Sequence, residues 1–338
     1  MDKSMLEPDT KWRYFSKMLL VRRFEEALIA LYKANKFSGH FHVCIGQEAT
    51  AAIAMDLLGA RDHITTTHRN HGHILCRGVS EKDALAEILG REAGMNSGYA
   101  GSFHLTAPKL GFLSTSGIVG GAISLGVGGA YACKQRGDQS VTMALFGDGA
   151  LEEGVSFESL NLASLWNLPL VFVCENNDAA LWTPNGTLSK GHAVSDLCHL
   201  PRLCGIATVS VTGLDLDELN LAFASAITHC RTGAGPFFIE VKTARWPGNR
   251  TQWPEPVTGQ TDLQMSLGRK AIPDEDREWF EVNDPVLKIA RQLTSEPDGD
   301  KKILEIDAAI GRRMELAVEH ALASPFPNAC KALNHVFA

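Results

Sequence analysis

The sequence predicts an α/β fold: an open, mostly parallel sheet with helices on both faces. Three observations carry this. Runs such as Val141-Thr142-Met143-Ala144-Leu145-Phe146 and Leu170-Val171-Phe172-Val173-Cys174 are almost continuously apolar, as strands covered on both faces must be. Segments with helical spacing separate the strands. Two successive strands run into polar groups, Gly147-Asp148-Gly149 and, after 26 residues, Asn176-Asn177. An open sheet of this kind binds its ligand outside the carboxyl ends of its strands.

Tyr14, Met18, Val21, Phe24, Leu28 and Leu31 recur at helical spacing and define a first amphipathic helix, read as an N-terminal arm over 10–35. Residues 39–44 are loop or short strand. An alanine-rich helix follows over 48–58, then a short β-branched strand, Ile64-Thr65-Thr66-Thr67. Residues 80–89 form a helix, with Ser80 and Asp83 as a variant of the capping box. Residues 92–117 lack periodicity and are rich in glycine, serine and histidine. A long ordered loop inside a compact chain is usually functional. Gly121, Gly126, Gly128 and Gly129 suit a helix over 120–132 that packs tightly on the sheet or on another subunit. The rhythm then runs strand 141–146, helix 153–165, strand 170–174, strand 206–211, helix 214–230 and strand 237–242. Residues 244–273 read as surface or interface loop, and a last helix spans 303–322 before Pro325 and Pro327. No internal repeat interrupts this order. The 338 residues therefore read as one large domain, 1–338, with 244–338 as an interface loop and helical region.

Net charge is -7 without a basic stripe, which argues against nucleic acid as a partner. No run is long and apolar enough to span a bilayer. The N-terminus, Met1-Asp2-Lys3-Ser4, lacks a targeting pattern, and the eight cysteines are scattered without a CxxC pair. Reduced, mostly buried thiols and a cytoplasmic location are expected.

Asp148 and the Asn176-Asn177 pair offer hard oxygen donors, suited to magnesium or calcium. Neighbouring strand ends lie about 5 Å apart, so both side chains can reach one ion, which would hold a diphosphate. Alone, Asp148 reads equally well as a cap at a strand-to-helix turn. Backbone N–H groups at Gly149, Ala150 and the helix start near Glu153 can receive phosphate oxygens. Thr67-His68-Arg69-Asn70-His71-Gly72-His73 follows the short strand; Arg69 offers a fork of donors for phosphate and His68 a donor or a base. The other reading is a solvated loop. Gly101-Ser102-Phe103-His104 and Gly117-Ile118-Val119-Gly120 either bring backbone against a flat ring or simply turn the chain. His40 and His42 belong either to a substrate pocket or to the core.

Together these residues resemble the alpha subunit of the thiamine-diphosphate-dependent 2-oxo acid dehydrogenase E1 component, as in pyruvate, branched-chain and acetoin dehydrogenases. The Gly147–Asn177 pattern is that family's cofactor signature. Arg22-Arg23-Phe24-Glu25-Glu26, Ile45-Gly46-Gln47-Glu48-Ala49, His71-Gly72-His73, Gly117-Ile118-Val119-Gly120 and Glu175-Asn176-Asn177 match as well. The likeness runs from about residue 12 to 242 and returns weakly at Ala317-Val318-Glu319-His320-Ala321 and Ser324-Pro325. The resemblance implies a thiamine-diphosphate-binding fold. It implies Mg2+ held by Asp148, Asn177 and the carbonyl of Ala179, with the diphosphate on Gly149, Ala150 and Arg69. It places the aminopyrimidine against Gly117 and Val119 and His42 near the approach to the site, and His68 and His42 are the candidate catalytic residues.

The resemblance further implies a beta subunit in an α2β2 assembly, a 2-oxo acid or acyloin substrate, and a lipoyl-bearing acyltransferase as acceptor. The cofactor carries the hard chemistry and the protein supplies binding, orientation and electrostatics. Two departures stand out. The family's Tyr-Arg is His68-Arg69 here. The late Tyr-Arg-Tyr-His-Gly-His-Ser of pyruvate-type subunits is Ala244-Arg245-Trp246-Pro247-Gly248-Asn249-Arg250 here, so Pro247 and Asn249 replace both histidines. Proline has no side-chain donor and fixes φ. This keeps open a non-lipoyl enzyme of the same two-subunit build: a carboligase, a non-oxidative decarboxylase or a split transketolase-like protein.

Overall fold

The computed structural model describes residues 6–177, 196–244, 246 and 261–331. Its centre is a six-stranded sheet: β1 (His63–Thr67), β2 (Phe112–Ser116), β3 (Thr142–Gly147), β4 (Leu170–Asn176), β5 (Ala207–Thr212) and β6 (Phe237–Lys242). The spatial order is β2-β1-β3-β4-β6-β5, and every pairing is parallel. From β1 the chain goes to β2 on one side and then crosses to β3 on the other. That reversal opens a crevice at the carboxyl ends of β1 and β3.

The helices are α1 (Pro8–Lys33), α2 (Glu48–Leu57), α3 (His71–Cys76), α4 (Glu81–Ile88), α5 (Gly121–Arg136), α6 (Gly154–Leu165), α7 (His199–Leu203), α8 (Leu216–Arg231), α9 (Pro285–Leu293) and α10 (Gly299–Ala323). The period-2 alternation of a strand sends successive side chains to opposite faces. Met143, Leu145, Val171 and Val173 join a core with α1, α2, α4, α8, α9 and α10. Ala144, Phe146, Leu170 and Phe172 join a second core with α5 and α6. Both faces of the sheet are thus covered, which explains the unbroken apolar runs. The segment read as an arm, α1, lies in the larger core and packs against α2, α3, α9 and α10.

The tight helix is α5, and its partner is the sheet. A Cβ on Gly126 would sit 2.8 Å from the Ala144 Cβ and 3.1 Å from the Thr65 Oγ1. Thr65 Oγ1 also donates to the Ala122 carbonyl at 2.7 Å.

Several expectations change. The 92–117 segment contains β2, a half-buried edge strand paired only with β1. The histidine segment ends in the start of α3, at His71, with His71 and His73 buried. Residues 39–44 are loop, the first of the two readings given for them. Ser80 caps α4 by accepting from Lys82 N at 3.2 Å, one residue earlier than a capping box would have it. The last helical region holds α9 as well as α10, and α10 begins at Gly299. Ala179, Pro247, Asn249 and nearly all of the 244–260 loop lie outside the described residues. Among the described residues no helix is long and apolar enough to cross a membrane.

Candidate functional site

At the carboxyl ends of β1, β2, β3 and β4 lies a cavity of about 200 Å³. Thr67, His68 and Arg69 reach it from the end of β1, and Ile118, Val119 and Gly120 from the turn after β2. Gly147, Asp148, Gly149 and Ala150 come from the end of β3, and Glu175 and Asn177 from β4. Gln47 closes it from the turn before α2. Seven residues singled out in the sequence therefore share one space: His68, Arg69, Val119, Asp148, Gly149, Ala150 and Asn177. Gly117 lies beside it on the β2 turn, and His42 stands behind His68.

The parallel register explains the meeting of Asp148 and Asn177. Gly147 is level with Glu175 across β3 and β4, so Asp148 follows β3 at the level of Asn176 and Asn177 follows one residue beyond, both at the same end of the sheet. Asp148 is buried and opens a short 3-10 turn, Asp148–Glu152, ahead of α6.

Two buried histidine relays brace this crevice. Glu25 on α1 contacts His71 Nδ1 at 3.0 Å, and His71 Nε2 meets Ser102 Oγ at 2.9 Å. Glu25 Oε1 also accepts from Cys44 N at 2.9 Å. In the second relay His73 Nδ1 meets Thr66 Oγ1 at 2.9 Å, while His73 Nε2 faces Glu175 Oε2 at 3.6 Å. Arg69 is steadied by its Nη1 donating to the Val43 carbonyl and by its backbone N–H donating to Thr67 Oγ1 at 3.2 Å.

His68 packs its ring 4.8 Å from His42 and 5.7 Å from Phe103, and His42 stacks on Phe103 at 5.5 Å. Burial first, then the charge of Arg69 and the neighbouring His71, push His68 down to about 4. Its imidazole is therefore neutral at physiological pH.

The donor set fits a divalent cation and the anion it would carry. Asp148 and Asn177 supply hard oxygens. Burial, followed by the charges of Asp148, Glu240 and Glu175, pushes the Cys174 thiol well above its ordinary value, so carboxylates crowd this end of the sheet. Gln47 Oε1 and Glu175 Oε1 are buried beside the cavity without a hydrogen-bond donor among the described residues. Buried acceptors left without donors are costly. A diphosphate offers them none, whereas the water shell of a cation does. Arg69 brings to the same cavity a guanidinium, a donor fork of the kind that suits phosphate.

A scan of family models matches the dehydrogenase E1 component over residues 16–327. The chain belongs to the dehydrogenase E1 component family. Its relatives include the pyruvate dehydrogenase E1 component subunit alpha of Rhizobium meliloti (strain 1021), 32% identical over 93% of this chain and 86% of the relative. The corresponding subunit of Zymomonas mobilis is also 32% identical, over 93% of this chain and 84% of the relative. The somatic, mitochondrial form of Homo sapiens is 32% identical over 96% of this chain and 79% of the relative.

Within this E1 family member, sequence reasoning assigned no individual role to Gln47, Glu175, Ile118 or His73. Gln47 and Glu175 sit inside quoted motifs, but only the fold turns them toward the cavity. A larger space of about 560 Å³ lies between α1 and α10, lined by residues such as Ile29, Trp246, Trp279 and Met314. None of the residues singled out as a candidate reaches it.

Proposed function

We propose that this chain is the alpha subunit of a heteromeric thiamine-diphosphate-dependent E1 enzyme. It decarboxylates a 2-oxo acid, or cleaves acetoin, and passes the acyl group to lipoamide. The observation that carries this reading is the convergence of Asp148, Asn177 and Arg69 on one cavity beside the orphaned oxygens of Gln47 and Glu175. The match to the E1 family over residues 16–327 supports it. So do the names of the three relatives given above, each a pyruvate dehydrogenase E1 component subunit alpha.

In this reading Asp148, Asn177 and the carbonyl of Ala179 hold Mg2+. Arg69 binds the terminal phosphate, and backbone groups of Gly149 and Ala150 receive the diphosphate. Gly117 and Val119 present backbone to the aminopyrimidine. Thiamine diphosphate, when bound, supplies a nucleophilic carbon and an electron sink for the departing carboxylate. Neutral His68, held against His42 and Phe103, offers the substrate a hydrogen bond without adding charge.

A partner follows from size. Pockets for ligands of this class usually enclose about 300–1,000 Å³. The cavity here holds about 200 Å³, enough for the diphosphate end and its cation. Ile118 and Val119 stand at its mouth, 75% and 51% exposed. We assign the remaining wall to a beta subunit in an α2β2 assembly. All eight cysteines are free thiols, which suits a reducing compartment such as the cytoplasm.

The test is to co-purify the chain with a candidate beta subunit, add thiamine diphosphate and Mg2+, and offer 2-oxo acids with and without a lipoyl domain. The expected result is carbon dioxide release coupled to lipoyl acylation. Pro247 and Asn249 make the acyl hand-off the sharper half of the experiment. Acyloin or ketose formation that ignores the lipoyl domain would overturn the acceptor assignment.

A further inference from the structure

Glu240 lies within β6 and is 4% exposed. Among the described residues its carboxylate has two partners, both neutral. Asn176 Nδ2 donates to Oε1 at 2.8 Å, and Ser210 Oγ on β5 donates to Oε2 at 2.6 Å. Burying a carboxylate against neutral donors is unfavourable compared with an apolar side chain on the same strand. Strand stability therefore gives no reason for it, and its partner Asn176 does.

Asn176 is held by both its side chain and its main chain. While Glu240 takes its amide, its carbonyl accepts from Thr243 N at 2.8 Å and Thr243 Oγ1 at 3.3 Å. The register places Cys174 opposite Glu240 and Asn176 opposite Lys242, so Asn176 shares its face of the sheet with Glu240. Glu175 points the other way, to His73 and the cavity. Asn177 is the next residue after this clamp and lines the cavity with Asp148. Fixing Asn176 therefore fixes the backbone from which the Asn177 side chain leaves the strand beside Asp148.

Asp196 and Cys198 lie close to Glu240, and the three together have the spacing of a cation cluster. The hydrogen bonds argue otherwise. Both Glu240 oxygens are occupied, Asp196 Oδ1 accepts from Cys198 N at 2.9 Å, and Asp196 Oδ2 pairs with Arg202 at 2.6 Å.

We propose that Glu240 is a positioning residue: with Ser210 behind it, it fixes Asn176 so that Asn177 meets the cation opposite Asp148. The inference rests on the cofactor-site reading given above. Groups that orient metal ligands typically change metal affinity about 10–100-fold when removed.

Mn2+ replaces Mg2+ as the probe, titrated by electron paramagnetic resonance into the αβ complex with saturating thiamine diphosphate. Glu240→Met keeps the volume but accepts nothing from Asn176, and is expected to weaken Mn2+ about 10–100-fold. Glu240→Gln keeps an acceptor for Asn176, with Ser210 turned to accept, and should stay within about threefold of the parent protein. Ser210 is exposed, so Ser210→Ala tests the same chain without threatening the fold, and should weaken Mn2+ several-fold. A residue that served only the fold would change melting temperature and leave the affinity of the folded complex unmoved. Asp148→Ala is the control. If it loses Mn2+ while Glu240→Met and Ser210→Ala bind normally, the positioning role is overturned. If Asp148→Ala itself binds normally, the cofactor site is misplaced, and the role of Glu240 falls with it.

Discussion

Asp148 brings a buried carboxylate to a cavity that also holds two oxygens without donors. Removing it should abolish retention of thiamine diphosphate while leaving the fold intact, because it lines the cavity at the end of β3. Asp148→Ala is therefore expected to lose the cofactor through gel filtration and to keep the far-UV dichroism of the parent; undiminished retention would contradict the assignment. His68 gives a pH signature. Its folded value is lowered to about 4 from the ordinary 6.5, so the unfolded chain binds the proton more readily. The stability from His68 is complete above pH 6.5 and is lost as pH falls toward 4. His68→Asn should flatten that part of the stability curve in urea melts at pH 4–7, and an unchanged slope would place His68 in water. Asp148 and Asn177 were legible because two apolar strands end on them. Glu240 was not: Phe237-Phe238-Ile239-Glu240-Val241-Lys242 is an ordinary strand with one acid, and only the pairing with β4 and β5 gives that acid its partners.

Among the elements, those with a long apolar period were legible and those held by their neighbours were not. β2, Phe112-Leu113-Ser114-Thr115-Ser116, is an edge strand with one partner, and its polar residues disguise it. α3 has six residues, too few to show a period. α9 was missed, although its start carries a signal: Asp284 precedes Pro285 and caps the helix by accepting from Val286 N at 2.9 Å and Leu287 N at 3.1 Å. The glycines of α5 announced close packing but not which neighbour, and the structure separates two kinds. Gly126 faces Ala144, whereas a Cβ on Gly128 would meet nothing within 4 Å. Gly126→Val should destabilise by about 1–3 kcal/mol through overpacking. Gly128→Ala should stabilise by roughly 0.5–1 kcal/mol through helix propensity. Urea melts of the two variants would decide it; equal shifts would mean that α5 does not rest on the sheet through Gly126.

Across the whole molecule, the motif residues act as ties between distant parts of the chain. Arg22 on α1 is fully buried and binds Glu48 of α2 at 2.7 Å, Asp284 at the start of α9 at 2.7 Å and Thr261 Oγ1 at 3.1 Å. Glu48 in turn accepts from Gly46 N at 2.8 Å, one residue from the cavity wall at Gln47. Burial works against the charge on Arg22, but Asp284 and Glu48 hold its guanidinium above the ordinary value. Burial also raises Glu48 despite the nearby guanidinium, so the attraction does not fully offset desolvation. The network is better understood as fixing how α1, α2 and α9 meet than as a source of net stability. Removing one partner is another matter, because it leaves the others charged and buried. Arg22→Met should therefore lower the unfolding free energy by about 3–5 kcal/mol, measured by urea denaturation. Glu48→Gln leaves Arg22 paired with Asp284 and loses one of the two bonds Glu48 accepts, from Arg22 Nε or from Gly46 N, so it should cost less than Arg22→Met. A loss below about 1 kcal/mol in Arg22→Met would be the behaviour of an exposed pair, and would mean that water reaches the junction of α1, α2 and α9.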